Sequence, residues 1–106
     1  MSQHSKEPQY QFLVDRAAAG DVAKFGLMSG QTWQDDPKRL VFLLSRYKFA
    51  SKMLAGCRRV LEIGCADAFG TRIVRQAGPE VTAVDFDRVF IENARATMDA
   101  RWPVEF

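Results

Sequence analysis

The sequence predicts an α/β fold: a partial doubly wound parallel sheet of three strands in the order 3-2-1, flanked by helices and preceded by an N-terminal helical extension. Three observations carry that expectation. After Gly56 the chain alternates short apolar runs with helical stretches, a grammar that calls for parallel strands joined by right-handed crossovers. Gly64 stands where the first of these strands must turn into its helix. Asp85 ends the second strand about 20 residues later, the spacing of a nucleotide-binding crossover. The expected division is residues 1–56 as helical extension and leader helix and residues 57–106 as the α/β core.

In order along the chain, residues 1–9 are polar and should fray. Tyr10 to Ala19 reads as a short helix stopped by Gly20, which tolerates the left-handed conformation after a helix end. Residues 20–35, with Gly20, Gly26 and Gly30 among Phe25, Leu27, Met28 and Trp33, read as a packed loop. Asp35-Asp36-Pro37 is a helix start, since an aspartate accepts from orphan amides and proline at the first position loses no hydrogen bond. The helix runs to about Ala55 and ends at Gly56, with an apolar stripe of Leu40, Leu43, Leu44, Tyr47, Ala50, Ser51 and Leu54. Arg59 to Ile63 is the first strand, Phe69 to Ala77 a helix closed by Gly78-Pro79, and Val81 to Val84 the second strand. Asp87 caps a helix running to about Ala100, and Pro103 to Phe106 begins a third strand. Three strands fall short of a complete doubly wound sheet, so the sequence is expected to be a fragment or truncated form.

Composition narrows the classes of function. With 106 residues, 47% hydrophobic and 26% charged, the chain has the makeup of one globular domain. A net charge of +2 is too mild to mark a nucleic-acid binder. Cys57 and Cys65 have no neighbouring Cys or His, which fits neither a zinc site nor a disulfide scaffold and suggests a reducing, cytoplasmic setting. No metal site is expected. No run reaches the length of a membrane span, and the polar start lacks a signal peptide's apolar centre. Between Lys38 and Arg59 lie seven basic residues and no acidic one, either a solvated face or an attractor for an anionic partner. Phe42, Tyr47 and Phe49 are read as spread around the helix, with no base-stacking platform.

The segment Val60-Leu61-Glu62-Ile63-Gly64-Cys65-Ala66-Asp67-Ala68-Phe69-Gly70-Thr71 carries the chemistry. A strand-to-helix turn at the carboxyl edge of a parallel sheet is where ligands bind, and a helix beginning near Phe69 would offer unpaired amides to a polar group. Asp85, in Val84-Asp85-Phe86-Asp87, is placed to accept both hydroxyls of a ribose. Glu62, Gly64 and Asp85 together resemble the class I S-adenosylmethionine-dependent methyltransferases over residues 57–106.

The resemblance implies S-adenosylmethionine as cofactor. It implies that Glu62 holds the loop and reaches the cofactor's amino group through water, and that Gly64, Cys65 and Ala66 line the methionine portion with backbone. Asp85 would take the ribose and Phe86 would lie against the adenine. If the basic run attracts an anion rather than forming a solvated face, Arg46 would stand near the cofactor carboxylate. The family pattern Glu-x-Gly-x-Gly-x-Gly is broken at Ala66 and Ala68; a positive backbone torsion at either alanine would cost about 1 kcal/mol. Substrate-side residues of the family would lie beyond Phe106, so no catalytic residue is assigned, little turnover is expected from this chain alone, and the methyl acceptor is unassigned, an anion being the class that the basic run would attract. Two other readings are a dehydrogenase-like NAD loop, Gly64-x-x-x-Ala68-x-Gly70, which gains nothing from Glu62, and a non-catalytic nucleotide-binding or regulatory module. With few strands, the first becomes an edge, which predicts either a homodimer through that edge or its cover by residues 20–35. Trp33 with the Phe25 to Met28 patch is a candidate lid. Cys65 is read as a packing residue, and His4 as neither ligand nor base.

Overall fold

The structure, a computed structural model, describes residues 3–106. A turn of 3-10 helix at Pro8–Tyr10 leads into α1 (Gln11–Ala18); α2 (Leu27–Asp35), α3 (Pro37–Met53), β1 (Arg59–Ile63), α4 (Thr71–Gln76), β2 (Glu80–Val84) and α5 (Arg88–Thr97) follow. The fold is α/β, with β1 and β2 parallel in a register that pairs Leu61 with Thr82 and Ile63 with Val84.

The expected three-stranded sheet is corrected to two strands. On the edge of β2 away from β1, only Glu105 pairs, as an isolated parallel bridge to Thr82. Its amide donates to the Val81 carbonyl and its carbonyl accepts from the Ala83 amide. Pro103, two residues earlier, has no N–H to extend the ladder. Arg75 fastens this segment by donating to the Pro103 carbonyl at 2.9 Å.

Residues 20–35 also depart from expectation, since their second half is helix α2 rather than loop. The reason is tertiary. Gly26, Ser29 and Gly30 offer weak helix propensity, but the orphan amides at the start of α2 find distant acceptors. The Leu27 amide donates to Asn93 Oδ1 at 3.0 Å. The Met28 and Ser29 amides donate to Asp67 Oδ2 at 3.0 and 2.7 Å. At Gly26 the backbone passes so close to Asp67 that a Cβ would overlap its carboxylate. The aromatic rings of this segment pack locally: Phe25 lies 6.0 Å from Trp33 and 5.2 Å from Phe69, centroid to centroid.

Helix α3 follows the sequence closely. Leu40 is buried, and the other six residues of the stripe are the half-buried residues of the helix and its cap. Pro37 occupies the first turn, but Asp36 makes no side-chain cap; its amide instead continues α2 by donating to the Thr32 carbonyl at 2.8 Å. Asp87 does cap α5, accepting from the Val89 amide at 3.0 Å.

The sheet has two unlike faces. One carries Val60, Glu62, Val81 and Ala83, the latter pair buried, and shares the core with Leu40, Val74 and Ala94. The other carries Leu61 and Ile63, which are 60% and 79% exposed, beside the exposed Val84. Residues 20–35 therefore do not cover β1; they pack against α3 and the Asp67 loop.

Candidate functional site

The loop from Gly64 to Gly70 leaves the carboxyl end of β1 and is held from below by β2. The Gly64 and Cys65 amides both donate to the Val84 carbonyl, at 2.8 and 3.0 Å. The Ala66 amide donates to Asp85 Oδ2 at 2.8 Å, and Asp85 Oδ1 accepts from the Asp87 amide at 2.9 Å. Asp85 is thus a buttress of the loop, with lone pairs left on both oxygens. The Ala68 amide closes a turn on the Cys65 carbonyl at 2.8 Å.

Three alternate loop residues take the left-handed conformation: Gly64 at φ 79°, Ala66 at φ 50° and Ala68 at φ 57°. Glycine accepts it freely, whereas each alanine stores about 1 kcal/mol of strain. Strain of this kind persists only where surrounding contacts over-determine the backbone, and it concentrates at functional sites.

Glu62 joins three elements. Its Oε2 accepts from the Tyr47 hydroxyl of α3 at 2.5 Å, and its Oε1 accepts from the Thr71 hydroxyl at the start of α4. Thr71 is fully buried. The Tyr47 ring lies flat against Gly70, where a Cβ would overlap it. Burial first, then the Glu62 carboxylate, raises the Tyr47 hydroxyl well above its ordinary range. Burial, followed by the charges of Glu62 and Asp85, pushes the Cys65 thiol up to about 11. Cys65 is 3% exposed and stays protonated at neutral pH, which suits packing rather than nucleophilic attack.

Two adjoining clefts border the loop. One, of about 330 Å³, lies between α2, α3 and Gly64 to Gly70, with Arg39, Tyr47 and Ala66 in its walls. The other is an open groove of about 710 Å³ between α3 and the end of β1, walled by Phe42, Arg46, Phe49, Glu62 and Gly64. Phe42 and Phe49 thus share one face of α3, which corrects the reading that scattered them. Arg39 and Arg46 form no ion pair among the described residues. Phe86, at the end of β2 beside Asp85, is completely exposed.

Sequence reasoning placed Glu62, Gly64, Cys65, Ala66 and Asp85 together, and the structure brings them to one loop; Phe86 projects from the same edge. Two expectations change in detail. The helix after β1 begins at Thr71 rather than Phe69, and the Phe69 amide is taken by Asp67 Oδ1 at 3.2 Å. The amides of Gly64, Cys65 and Ala66 are all taken by the Val84 carbonyl and Asp85, so they are not the donors to a ligand that the backbone lining implies. Asp67 and Tyr47 were missed as organisers of the site; the signal for Asp67, a buried carboxylate next to strained residues, exists only in three dimensions. Trp33 stays half exposed on α2, away from the lining of both clefts. Among the described residues no cluster of metal ligands occurs, and no helix is long and apolar enough to cross a membrane.

Compared with protein-family models, curated proteins and solved structures, the chain finds no significant match in any of the three.

Two outcomes test this geometry. Ala66→Gly and Ala68→Gly should each raise stability in chemical denaturation by up to about 0.5 kcal/mol, because the relief of about 1 kcal/mol of strain is partly offset by the added freedom of the unfolded chain. The raised Cys65 pKa means that the folded state keeps a proton which the unfolded state releases above about pH 8.5. Its contribution to stability is therefore complete below that pH and lost as pH rises toward about 11. Melting temperature should fall over this window in the native protein and fall less in Cys65→Ala, while only the exposed Cys57 reacts rapidly with a thiol reagent at neutral pH.

Proposed function

We propose that this chain is the cofactor-binding half of an S-adenosylmethionine-dependent methyltransferase. The observation that carries the reading is the loop after β1. Its left-handed residues fall at positions 64, 66 and 68, the places where Glu-x-Gly-x-Gly-x-Gly puts glycine, and Asp85 from the next strand is hydrogen-bonded to the middle one. Glu62 opens the same pattern and anchors it.

The chemistry of the donor set fits the cofactor. The two clefts lie in the size range of small-molecule sites. Asp85 retains lone pairs for ribose hydroxyls. Phe86 offers an unshielded ring for stacking on adenine. Glu62, in the wall of the groove, offers a carboxylate to an ammonium group, and Arg46 in the same wall offers donors to a carboxylate. When bound, S-adenosylmethionine supplies an electrophilic methyl group on a sulfonium. The chain's own part is alignment: a preorganised loop and a ribose clamp fix the methyl donor, and holding reactants in line is a large share of catalysis in a direct displacement. No residue here is assigned to the acceptor, so binding without robust turnover is the expectation. NAD is the competing ligand, since Asp85 suits the ribose of either.

Titration calorimetry separates them. Asp85→Ala would also release the Ala66 amide, so the informative variant is Phe86→Ala, whose side chain supports nothing in the fold. S-adenosylmethionine should bind the native chain, and Phe86→Ala should weaken it about tenfold, the scale of one lost stacking contact, with an unchanged melting temperature. Failure to bind S-adenosylmethionine, or preferential binding of NAD, overturns the reading.

A further inference from the structure

Helix α2 is fastened to the loop and to α5 by its first turn, and the fastening is mainly polar. The Leu27 amide donates to Asn93 Oδ1 on α5 at 3.0 Å. The Met28 and Ser29 amides converge on one oxygen of Asp67, at 3.0 and 2.7 Å. Gly26 seats the turn, because a Cβ there would overlap the Asp67 carboxylate. The apolar share is small. The buried residue of α2 is Ser29, Leu27 and Met28 are exposed, and Phe25 meets Phe69 from just before the helix.

Both ends of α2 have room to turn. Residues 21–26 form neither helix nor strand. Asp36, the single residue between α2 and α3, leaves the helical conformation at φ −154° and ψ 78°. A short helix between a loop and a one-residue joint can swing as a unit, with the joint absorbing the change in torsion. Elements that bury little apolar surface also open at lower free energy than the core.

The fastening borders the cleft of about 330 Å³, in which Met28, Ser29 and Thr32 face Gly64 to Gly70. Asp67 serves both sides of it: Oδ2 holds α2, and Oδ1 accepts from the Phe69 amide of the loop. We infer that α2 is a strap over this cleft, latched by Asp67 and Asn93, which opens without unfolding the core and which a ligand in the cleft holds shut. A molecule filling the cleft touches α2 and the loop at once, so it binds the latched form better than the open one. By linkage, occupancy of the cleft and closure of the latch favour each other. This coupling rests on the cofactor reading proposed above; the strap itself does not. The Trp33 ring lies outside the cleft's lining, so the closing groups are the amides of the first turn.

Amide exchange followed residue by residue tests both parts. In the free chain the Leu27, Met28 and Ser29 amides should be at least about tenfold less protected than the Thr82 amide inside the sheet. Asn93→Ala removes the acceptor of Leu27 and leaves in α5 a residue that favours helix. It should lower protection at these three amides about fivefold, the scale of one neutral hydrogen bond, and leave Thr82 unchanged. With S-adenosylmethionine at about 100 times its dissociation constant, the same amides of the native chain should slow by up to about 100-fold, since opening then requires release of the ligand. Protection of α2 equal to that of Thr82, in the native chain and in Asn93→Ala alike, overturns the strap. Bound cofactor that leaves α2 exchange unchanged overturns its coupling to the cleft. Absence of cofactor binding overturns the cofactor reading instead, and the free-chain comparison still decides the strap.

Discussion

The carboxylate of Glu62 is the constraint on which the rest of the site depends. A charged group on the packed face of a strand is costly to shelter from water unless its oxygens are hydrogen-bonded, and here each oxygen has its own hydroxyl donor from a different helix, Tyr47 on α3 and Thr71 on α4. The arrangement turns a burial cost into positional information. It fixes how α3 lies over the start of α4, and the absence of a side chain at Gly70 lets the Tyr47 ring come into place. The same contact sets both walls of the open groove, since Tyr47 and Glu62 line it together. The hydroxyl of Tyr47 and the thiol of Cys65 are both held in their protonated forms, by burial first and then by the Glu62 carboxylate.

A second carboxylate organises the other side of the loop. Asp67 is 7% exposed and bonds three amides, two from α2 and one from its own turn. Asp85 bonds two more. Together these contacts hold Ala66 and Ala68 in a conformation that alanine resists. The strained loop is therefore held by polar contacts of the chain itself on either side. Preorganisation of this kind is what a binding loop requires if the ligand is not to spend its own affinity on ordering it.

Much of this was legible in the sequence, and what was not has a common cause. The residues of β1, the stripe of α3, the Asp87 cap and the site set Glu62, Gly64 and Asp85 follow from local periodicity, capping chemistry and spacing. Helix α2 was not legible because its amides are satisfied by Asn93 and Asp67, far away in sequence, while its own composition argues for a loop. The third strand was over-read: Pro103-Val104-Glu105-Phe106 has strand-like residues, but a single residue bonds to β2. The aromatic grouping of Phe42 and Phe49 was hidden by counting Tyr47 with them, although these two are seven residues apart and share a face.

A double-mutant cycle between Tyr47→Phe and Glu62→Ala in urea denaturation tests the keystone most directly. If Glu62 anchors α3 through the Tyr47 hydroxyl, Tyr47→Phe costs about 2 kcal/mol in the native background, the scale of a hydrogen bond to a charged group, and almost nothing once Glu62 is gone. Costs that simply add, with Tyr47→Phe equally destabilising in both backgrounds, would contradict the account.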